Sequence, residues 1–394
     1  QNSFLKKFHN LSGSIILLDE VQNIPVEYWP LVRQALLLLA EVTGCYIILL
    51  TATKPLILTE EESEKLLDDP EKYFEKSCLN RVVVYPYMVP VAIEDFCVHF
   101  MKNIYDPKKS YLIVMNTIKS SIMVYQRLKQ ELTHTPIFYL STNIVPRERA
   151  HRIKLIRRAL RRKEKIIVVS TQIVEAGVDI DLNTVIRDLG PIDSIVQVAG
   201  RCNRHMKMDK GEVYIFRIVE NDKEYASMVY GKVHCQYARE LLENKKIIEE
   251  KDFYEMIRSF FEKVYHAESM DKSQQMLNAL ASLNFTNLKE FQLIQDNPCY
   301  VDVFVEVNEK AQRVFREYVS KVIMENAPKL RYSNQLVYKR EFNKYLISVP
   351  WHLTKGLQND YLEWGFLYLP LEGLELYYNR ETGFVRLDSG TIIF

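Results

Sequence analysis

The sequence predicts an α/β protein whose core is formed by parallel sheets. Up to about residue 216, short apolar runs rich in β-branched residues alternate with amphipathic segments of helical period. Strands that alternate with helices are joined by right-handed crossovers, which produces parallel sheets with ligand-binding loops at the carboxyl ends of the strands. Several of the apolar runs end in acidic, hydroxyl or amide residues, where such loops begin. We therefore expect two successive sheets, followed by a helical region and a mixed C-terminal region.

The first predicted domain covers residues 1–88 and contains part of a parallel sheet. Its elements are strands at 14–18, 46–50 and 81–85 and a helix at about 27–42. Pro86 and Pro90 follow the last strand and indicate a linker, because proline interrupts a central strand.

The second predicted domain covers residues 89–218 and contains a complete sheet. Its elements are strands at 111–115, 137–140, 166–169, 184–186 and 211–216 and helices at about 117–132, 147–163 and 193–200. Residues 219–299 are rich in Glu, Lys and Leu and are predicted to form a helical linker region. Residues 300–394 carry Tyr- and Trp-bearing segments of mixed pattern and are predicted to form an accessory domain.

Composition limits the class of protein. The 394 residues carry a net charge of +1, which excludes a globally basic nucleic-acid binder, so any contact with nucleic acid must be local. No apolar run approaches the roughly 18 residues of a membrane span, and no signal peptide is visible. The six cysteines include no C-x-x-C pair, which favours free thiols in a reducing, cytoplasmic compartment and argues against a zinc site.

Two adjacent carboxylates follow the first predicted strand. Asp19 and Glu20 come directly after an apolar run, and Gln22 is two residues further on. Phosphoryl transfer from a nucleotide uses such a pair, in which one carboxylate binds Mg²⁺ and the other orients the attacking water. In isolation, an Asp-Glu pair in this position is more often a solvated turn, so the interpretation depends on the other motifs.

Hydroxyl and amide side chains follow other predicted strands, where they suit sequence-independent contacts with a polynucleotide backbone. The turn at Ser141 precedes a predicted helix, whose free amides and dipole would favour a phosphate. The candidate nucleic-acid contacts at these strand ends are Thr51, Thr53, Asn116, Thr117 and Ser141 with its neighbour Thr142.

The most informative motifs lie between residues 170 and 204. A strand ending in Ser-Thr is followed by Gly177 and Asp179, and Gln197 then precedes the paired Arg201 and Arg204. Two guanidinium forks three residues apart suit an anion whose charge is spread over several oxygens, such as a γ-phosphate during transfer. This combination favours a nucleotide-binding site that also contains Asp19 and Glu20.

The segment 147–165 is strongly basic and has two open interpretations. Ile153, Ile156 and Leu160 recur at helical spacing and predict one buried face, with cations on the other. The cationic face is either an ordinary solvated surface or a track for a phosphate backbone with salt-sensitive affinity.

Taken in chain order, these motifs resemble motifs II, III, V and VI of superfamily 2 helicases. The chain is most similar to the CRISPR-associated helicase of type I interference, most specifically over residues 168–204. The stretches 140–149 and 376–383 also resemble this family. One departure is Gln22, because many members carry His there, and we expect it to alter coupling rather than chemistry.

The resemblance implies two RecA-like domains, the first of them partial here, and an ATP- and Mg²⁺-dependent activity. It implies movement 3′ to 5′ along single-stranded DNA in antiviral defence, in the cytoplasm of a prokaryote and without membrane association. The implied partners are an RNA-guided CRISPR surveillance complex and an HD nuclease domain, in cis or in trans.

Site roles also follow from the resemblance. Asp19 would bind Mg²⁺, Glu20 would act as general base, and Arg201 and Arg204 would act as arginine fingers on the γ-phosphate. Gln197 would bind the γ-phosphate with them, and Gly177 and Asp179 would face the nucleotide. The residues implied to couple hydrolysis to grip on DNA are Gln22, Thr51 and Thr53, and those implied to lie near the DNA backbone are Thr171 and Gln172.

Two family motifs are missing from the 394 residues. There is no G-x-x-x-x-G-K-[ST] loop to bind the β- and γ-phosphates, and no His is followed by Asp as in the nuclease motif. We therefore expect the C-terminal part of a longer polypeptide that does not hydrolyse ATP efficiently alone. The alternatives are a DEAD/H-type RNA helicase and a non-catalytic truncated module that binds nucleic acid or protein.

Overall fold

The structure is a computed structural model that describes residues 7–51, 57–59, 61–64, 66, 80–175, 177–291, 293 and 299–385. Thr53 lies outside these residues. The fold class predicted from the alternating pattern is confirmed: parallel sheets come first, followed by a helical segment and a mixed C-terminal unit.

A two-stranded parallel sheet forms the first unit. Strands β1 (Ile15–Asp19) and β2 (Tyr46–Leu50) are connected through helix α1 (Trp29–Thr43). The strands are in register, with Asp19 opposite Leu50. Residues that follow the two strands therefore lie at the same edge of this sheet.

An eight-stranded sheet forms the centre of the molecule. Six of its strands are parallel, in the order β3-β8-β7-β4-β6-β5, and the short β9 and β10 pair antiparallel with β8 and β3. Its strands are β3 (Val82–Val91), β4 (Tyr111–Val114), β5 (Ile137–Leu140), β6 (Ile167–Ser170), β7 (Thr184–Asp188), β8 (Gly211–Glu220), β9 (Lys223–Glu224) and β10 (Ile248–Glu249).

The strand predicted near residues 81–85 belongs to this large sheet and not to the first unit. β3 continues through Pro86 and Pro90 and pairs with β8, with a register shift between Tyr87 and Pro90. A bulge of this kind accommodates residues that lack an N–H, so the prolines do not end the strand. The predicted linker at this point is therefore wrong.

Helices cover both faces of the large sheet, and its central strands are completely buried. All four residues of β4 have no exposed surface. The helices of this unit are α2 (Ile93–His99), α3 (Ile118–Glu131), α4 (Pro146–Arg161) and α5 (Ile192–Ala199).

A helical segment follows and packs against the first unit. Trp29 of α1 is buried, and its ring lies 5.5 Å from Phe261 and 6.1 Å from Tyr265. The helices of this segment are α6 (Tyr225–Tyr230), α7 (Lys232–Glu243), α8 (Phe253–Ala267), α9 (Asp271–Ala281) and α10 (Phe285–Glu290).

The C-terminal unit has its own apolar core around a three-stranded sheet. Its strands and helices are β11 (Tyr300–Val305), α11 (Glu309–Tyr318), α12 (Pro328–Phe342), β12 (Leu346–Pro350), β13 (Phe366–Leu369), α13 (Leu374–Tyr377), β14 (Tyr378–Asn379) and β15 (Gly383–Phe384). The hairpin at 378–384 packs on the turn before α4, where the backbone of Asn143 would collide with any Cβ at position 383. Gly383 fits this position because it has no Cβ and because it readily adopts the φ of +85° found there.

In the part of the chain that the structure describes, no helix has the length and apolar character to cross a membrane. The buried Cys45, Cys97, Cys202 and Cys235 are free thiols.

Candidate functional site

The two adjacent carboxylates lie where β1 ends. Glu20 adopts a left-handed backbone conformation with φ +56°, which is uncommon for a residue other than glycine, asparagine or aspartate. This turn lets the Glu20 N–H donate to Asp19 Oδ1 at 3.1 Å. The Asp19 side chain is left exposed, while the Glu20 carboxylate points towards neighbouring amides.

A hydrogen-bonded series of four side chains connects the two sheets. The Thr51 hydroxyl donates to Gln22 Oε1 at 2.6 Å, and Gln22 Nε2 donates to Glu20 Oε2. The same Glu20 oxygen accepts from Gln197 Nε2 at 3.2 Å. Since Gln197 lies on α5 of the large sheet, this series brings a carboxylate of the first unit to the helix that precedes the paired arginines.

The paired arginines are held by the turn that follows β6. Arg201 donates through Nε to the Val174 carbonyl at 3.2 Å and through Nη2 to the Glu175 carbonyl. Burial, followed by the nearby charge of Arg204, lowers the pKa of Arg201. Two cations held this close favour an anion between or beside them.

Arg204 is anchored by two carboxylates of the same turn. Its backbone N–H donates to Asp181 Oδ1 at 2.7 Å, and its Nε lies 3.4 Å from Asp179 Oδ1. Gly177, at φ +70°, adopts the left-handed conformation of the turn that places Asp179 and Asp181 next to Arg204. The predicted residues of this region therefore lie together, with Arg204 partly exposed at the edge.

The groups at this edge fit the γ-phosphate side of a nucleotide. The exposed Asp19 carboxylate suits a hard cation, and the Arg204 guanidinium suits phosphate oxygens. Among the described residues, no group of three or more His, Cys, Asp or Glu side chains could hold a metal ion. A cation bound through Asp19 would therefore complete its shell with phosphate oxygens and water.

A cleft of about 1830 Å³ separates the large sheet from the C-terminal unit. It lies beyond the carboxyl ends of β4 and β6, and the C-terminal strands β11 and β12 form its opposite wall. Of the candidate nucleic-acid residues, the lining includes Asn116, Thr117, Thr171 and Gln172. Thr142, the neighbour of Ser141, lines it as well. Residues that sequence reasoning did not select also line the cleft: Glu220, Lys223, Tyr230, Tyr300, Asp302 and Ser348.

The side-chain amide of Asn116 is hydrogen-bonded to buried groups of the protein. Its Nδ2 donates to Asp188 Oδ2 at 2.7 Å and to the Leu189 carbonyl at 2.5 Å, and its Oδ1 accepts from Arg187 Nη1 at 2.9 Å. Its backbone carbonyl accepts from Gln172 Nε2 at 2.7 Å. Asn116 therefore supports a cleft residue instead of offering its own amide to a ligand.

The helix N-terminus predicted to bind phosphate near Ser141 is covered, so that part of the prediction is wrong. Ser141 is fully buried, and its hydroxyl accepts from the Asn143 N–H at 2.9 Å. α4 starts five residues later, and Tyr378 of the C-terminal hairpin accepts from the Val145 N–H at 3.1 Å. The exposed hydroxyl of this turn belongs to Thr142.

The N-terminus of α3 is open to the cleft. Thr117 caps it by accepting from the Ser120 N–H at 3.0 Å, in a reciprocal capping box. Thr117 and Ile118 both line the cleft, so the first turn of α3 faces it. The positive end of the helix dipole thus adds a favourable potential for an anion at this wall.

The cationic face of α4 is partly used inside the protein. Arg152 donates to the backbone carbonyls of Arg380 and Glu381, and Arg157 donates to the Asp179 carbonyl at 2.9 Å. The described lining of the large cleft includes no residue of α4. These contacts favour the interpretation of α4 as a structural and solvated surface.

Sequence reasoning missed a buried charged cluster next to both regions. Arg187 and Asp188 end β7 and are almost completely buried, and Arg187 pairs with Glu175. The sequence contained one signal for it, because two charged residues directly follow the apolar run 184–186 of a central strand. Charges in such a position are rare unless they are paired.

These features define the fold class. Two successive parallel sheets, with carboxylates after a strand of the first and a pair of arginines after a helix of the second, form a RecA-like arrangement.

Comparisons with known proteins show what the chain is similar to. Residues 107–207 match the family model described as CRISPR-associated nuclease/helicase Cas3, C-terminal. A CRISPR-associated nuclease/helicase Cas3 of Methanothermobacter thermautotrophicus is 28% identical over 261 residues, which cover 64% of this chain and 28% of the relative. A second, of Haloferax volcanii, is 23% identical over 308 residues, which cover 55% of this chain and 33% of the relative.

Solved structures show the same fold. The T. fusca Cas3–AMPPNP crystal structure matches with a TM-score of 0.66 and 16% identity, over 95% of this chain and 53% of that one. A chain of a CRISPR RNA-guided surveillance complex in a pre-nicking state matches with a TM-score of 0.61 and 15% identity, over 91% and 54%.

The chain is thus similar to the C-terminal portion of the Cas3 nuclease/helicases, most specifically over residues 107–207. The match spans about a third or less of the length of these two curated relatives, and about half of the solved chains.

Proposed function

We propose that the chain is the C-terminal part of an ATP- and Mg²⁺-dependent helicase that moves 3′ to 5′ along single-stranded DNA during type I CRISPR interference. The observation that carries this proposal is the contact between Glu20 Oε2 and Gln197 Nε2 at 3.2 Å. It joins the carboxylate end of the first sheet to the helix that leads to Arg201 and Arg204. Two residues 177 positions apart in sequence thus meet in the pattern that nucleotide hydrolysis requires.

Each residue of this junction has a proposed task. Asp19 binds the cation through its exposed carboxylate, and Glu20 accepts a proton from the attacking water. Gln22 and Gln197 hold Glu20 in place, since both amides donate to its Oε2 atom. Arg201 and Arg204 bind the charge that develops on the γ-phosphate oxygens. Bound ATP would supply the phosphoanhydride bond whose hydrolysis drives movement, and bound Mg²⁺ would offset the negative charge of its phosphates.

A phosphate-binding loop is also needed for this chemistry. None of the 394 residues forms a G-x-x-x-x-G-K-[ST] motif, so the backbone amides and the lysine for the β- and γ-phosphates must come from other sequence. We therefore propose that the chain alone does not hydrolyse ATP efficiently and that hydrolysis belongs to the natural full-length protein.

The large cleft is the proposed path of single-stranded DNA. Thr117, Thr142 and Thr171 offer hydroxyls along one wall, and Tyr300 offers an aromatic ring on the other. Hydroxyl contacts to the backbone and aromatic stacking of bases are independent of sequence.

Charge in the cleft is nearly balanced, so these contacts are expected to matter more than bulk electrostatic attraction. Of its acidic residues, Glu220 is paired with Lys119 at 2.9 Å and Glu175 with Arg187 at 2.8 Å. Lys223 adds one cation to the lining. The open N-terminus of α3 adds a further positive potential.

The proposed partners follow from the family. Similarity to a chain solved in an RNA-guided surveillance complex supports recruitment by such a complex. The nuclease part of the name of the curated relatives supports an HD nuclease domain in cis or in trans. A prokaryotic cytoplasm is the compartment in which these partners act.

ATP hydrolysis by the natural full-length protein tests this function. We expect single-stranded DNA to stimulate hydrolysis strongly and RNA of the same sequence to stimulate it weakly. Strong stimulation by RNA alone would support a DEAD/H-type RNA helicase instead. Nucleic-acid binding without any hydrolysis would support a non-catalytic module.

A further inference from the structure

Arg187, the fourth residue of β7, is a fully buried charge at the centre of the second unit. Burial alone would lower its pKa, but the carboxylate of Glu175 and the hydroxyl of Tyr230 raise it, so Arg187 remains charged. A Cβ at position 190 would lie 2.9 Å from Arg187 Nη2, so Gly190 leaves the space that the guanidinium occupies. The packing around this charge is therefore specific to an arginine.

The partners of Arg187 come from four separate elements. Nη1 donates to Asn116 Oδ1 at 2.9 Å, after β4. Nη2 donates to Ser194 Oγ of α5 at 2.5 Å and to the Tyr230 hydroxyl of α6 at 2.7 Å, and it lies 2.8 Å from Glu175 Oε1. We refer to Arg187 and these four residues as the Arg187 cluster.

One side of the cluster forms part of the cleft wall. Asn116, Glu175 and Tyr230 all line the cleft. The Asn116 carbonyl also accepts from Gln172 Nε2 at 2.7 Å, so the amide of Gln172 is held by a member of the cluster. A strand of nucleic acid that contacts Gln172 would therefore act on the Arg187 cluster directly.

The other side of the cluster reaches the paired arginines. The Glu175 carbonyl accepts from Arg201 Nη2, while its carboxylate accepts from Ser194 Oγ at 2.8 Å. Ser194 lies one helical turn before Gln197, whose amide contacts Glu20. In this arrangement Arg201 Nε and Nη2 both donate to backbone carbonyls. To bind a phosphate with these two nitrogens, the guanidinium must break its hydrogen bond to the Glu175 carbonyl.

We propose that Arg187 is a positioning residue that couples occupancy of the cleft to the orientation of Arg201. This inference rests on the proposed helicase function, in which Arg201 binds the γ-phosphate. The guanidinium fixes the relative position of Asn116, Glu175 and Ser194. A shift of Gln172 when the cleft is occupied is transmitted through Asn116 and Arg187 to Glu175, whose carbonyl then releases or holds Arg201. A discrete hydrogen-bonded network can carry coupling of this kind between two sites.

The test compares Arg187→Met with Arg187→Lys in the natural full-length protein. For each variant, basal hydrolysis, maximal DNA-stimulated hydrolysis and the DNA concentration for half-maximal stimulation are measured. We expect Arg187→Met to lower the ratio of stimulated to basal hydrolysis by about tenfold, within the range of typical coupling between sites. The half-maximal DNA concentration should change by less than about threefold, because Arg187 does not itself contact the strand.

Two further variants make the result specific. Arg187→Lys keeps the charge but not the fork, so it should restore part of the stimulation ratio. Arg217→Met removes another partly buried arginine of the same sheet, paired with Glu224 at 2.5 Å, and should leave the ratio unchanged. A purely structural role for Arg187 would instead lower the melting temperature and leave the ratio intact in the folded protein.

The outcomes separate the two proposals. A wild-type protein that DNA does not stimulate contradicts the helicase function, and this inference with it. A stimulated wild type whose Arg187→Met variant keeps the same ratio contradicts only the coupling role. Where Arg187→Met does not fold, Ser194→Ala decides, because it removes one partner of Arg187 and of Glu175. We expect that variant to lower the ratio by about fivefold, and an unchanged ratio overturns the inference.

Discussion

The two parallel sheets carry the two halves of the proposed nucleotide-facing site, and they are supported very differently. In the two-stranded sheet, Ile15 and Leu17 of β1 are 67% and 60% exposed. In the eight-stranded sheet, every residue of β4 is completely buried. Asp19 and Glu20 therefore depend on a few specific contacts, whereas Arg201 is held by a turn packed onto a closed core.

Because of this difference, we expect substitutions in the two sheets to affect catalysis and folding stability to different extents. Changes at the carboxylate end are expected to alter chemistry with little effect on folding, because few side chains pack around it. Changes beneath the arginines are expected to affect both, because the same buried groups form the core and position the turn. The predictions below test that distinction, starting with the largest expected effect.

Arg204→Ala in the natural full-length protein should abolish DNA-stimulated ATP hydrolysis. An arginine finger contributes about 10³-fold or more to turnover, and Arg204 is the partly exposed member of the pair. Affinity for single-stranded DNA should be spared, since Arg204 does not line the cleft. Lys207→Ala is the matched control, because Lys207 is an exposed cation that pairs with Asp181 at 3.2 Å. Normal turnover in Arg204→Ala would contradict the finger role.

Truncating one apolar side chain on each sheet should give unequal losses of stability. Ile113→Ala on β4 removes a fully buried side chain and should cost about 2–5 kcal/mol of unfolding free energy. Leu17→Ala on β1 removes a side chain that is 60% exposed and should cost no more than about 0.5 kcal/mol. Equilibrium urea denaturation of the 394-residue chain measures both values. Equal losses would mean that the two sheets are equally supported.

The large sheet should also have a pH-dependent stability that originates at Asp188. Burial raises the pKa of Asp188 from 3.8 to about 7, against the opposing effect of Arg187. Because the folded protein binds this proton more tightly than the unfolded chain, the contribution is complete below about pH 4 and is lost as the pH rises to about 7. The stability of the wild type relative to Asp188→Asn should therefore fall across that window and stay constant above it. Thermal denaturation across the pH range measures this, with the exposed Asp209→Asn as control, and a rising difference would contradict the assignment.

Reversing two exposed charges of α4 should have the smallest effect. Arg158 and Arg161 are exposed, and they do not line the cleft. Arg158→Glu with Arg161→Glu should therefore change the affinity of the chain for single-stranded DNA by no more than about threefold at low salt. A loss of a hundredfold would show that α4 is a phosphate track after all.

The sequence pattern predicted best the positions of those site residues that directly follow a strand. Glu20 and Gln22 could be placed beside Thr51 because the carboxyl ends of the parallel strands β1 and β2 share one edge of a sheet. Gln197 lies on a helix of the other sheet, and its place in the site followed from the resemblance. Ser141 was misplaced because a hairpin more than 200 residues away in sequence covers the turn, and no local pattern encodes that contact. Pro86 and Pro90 led to the wrong prediction of a linker because a local bulge accommodates both prolines within the continuous strand β3.

Arg187 shows a further limit of sequence pattern. Sequence reasoning missed it although its position after an apolar run was a signal of a buried charge. Its partners lie on four elements between residues 116 and 230. Only the assembled sheet brings these residues within hydrogen-bonding distance. Long-range polar networks of this kind depend on topology and packing, which local periodicity does not specify.

Photocrosslinking tests the location of the nucleic acid most directly. Single-stranded DNA carrying 5-iododeoxyuridine is bound to the 394-residue chain and irradiated, and the crosslinked peptides are identified by mass spectrometry. We predict crosslinks to aromatic residues of the cleft, with Tyr230 and Tyr300 as the principal sites. Crosslinks confined to the exposed face of α4, with none in the cleft, would contradict the account.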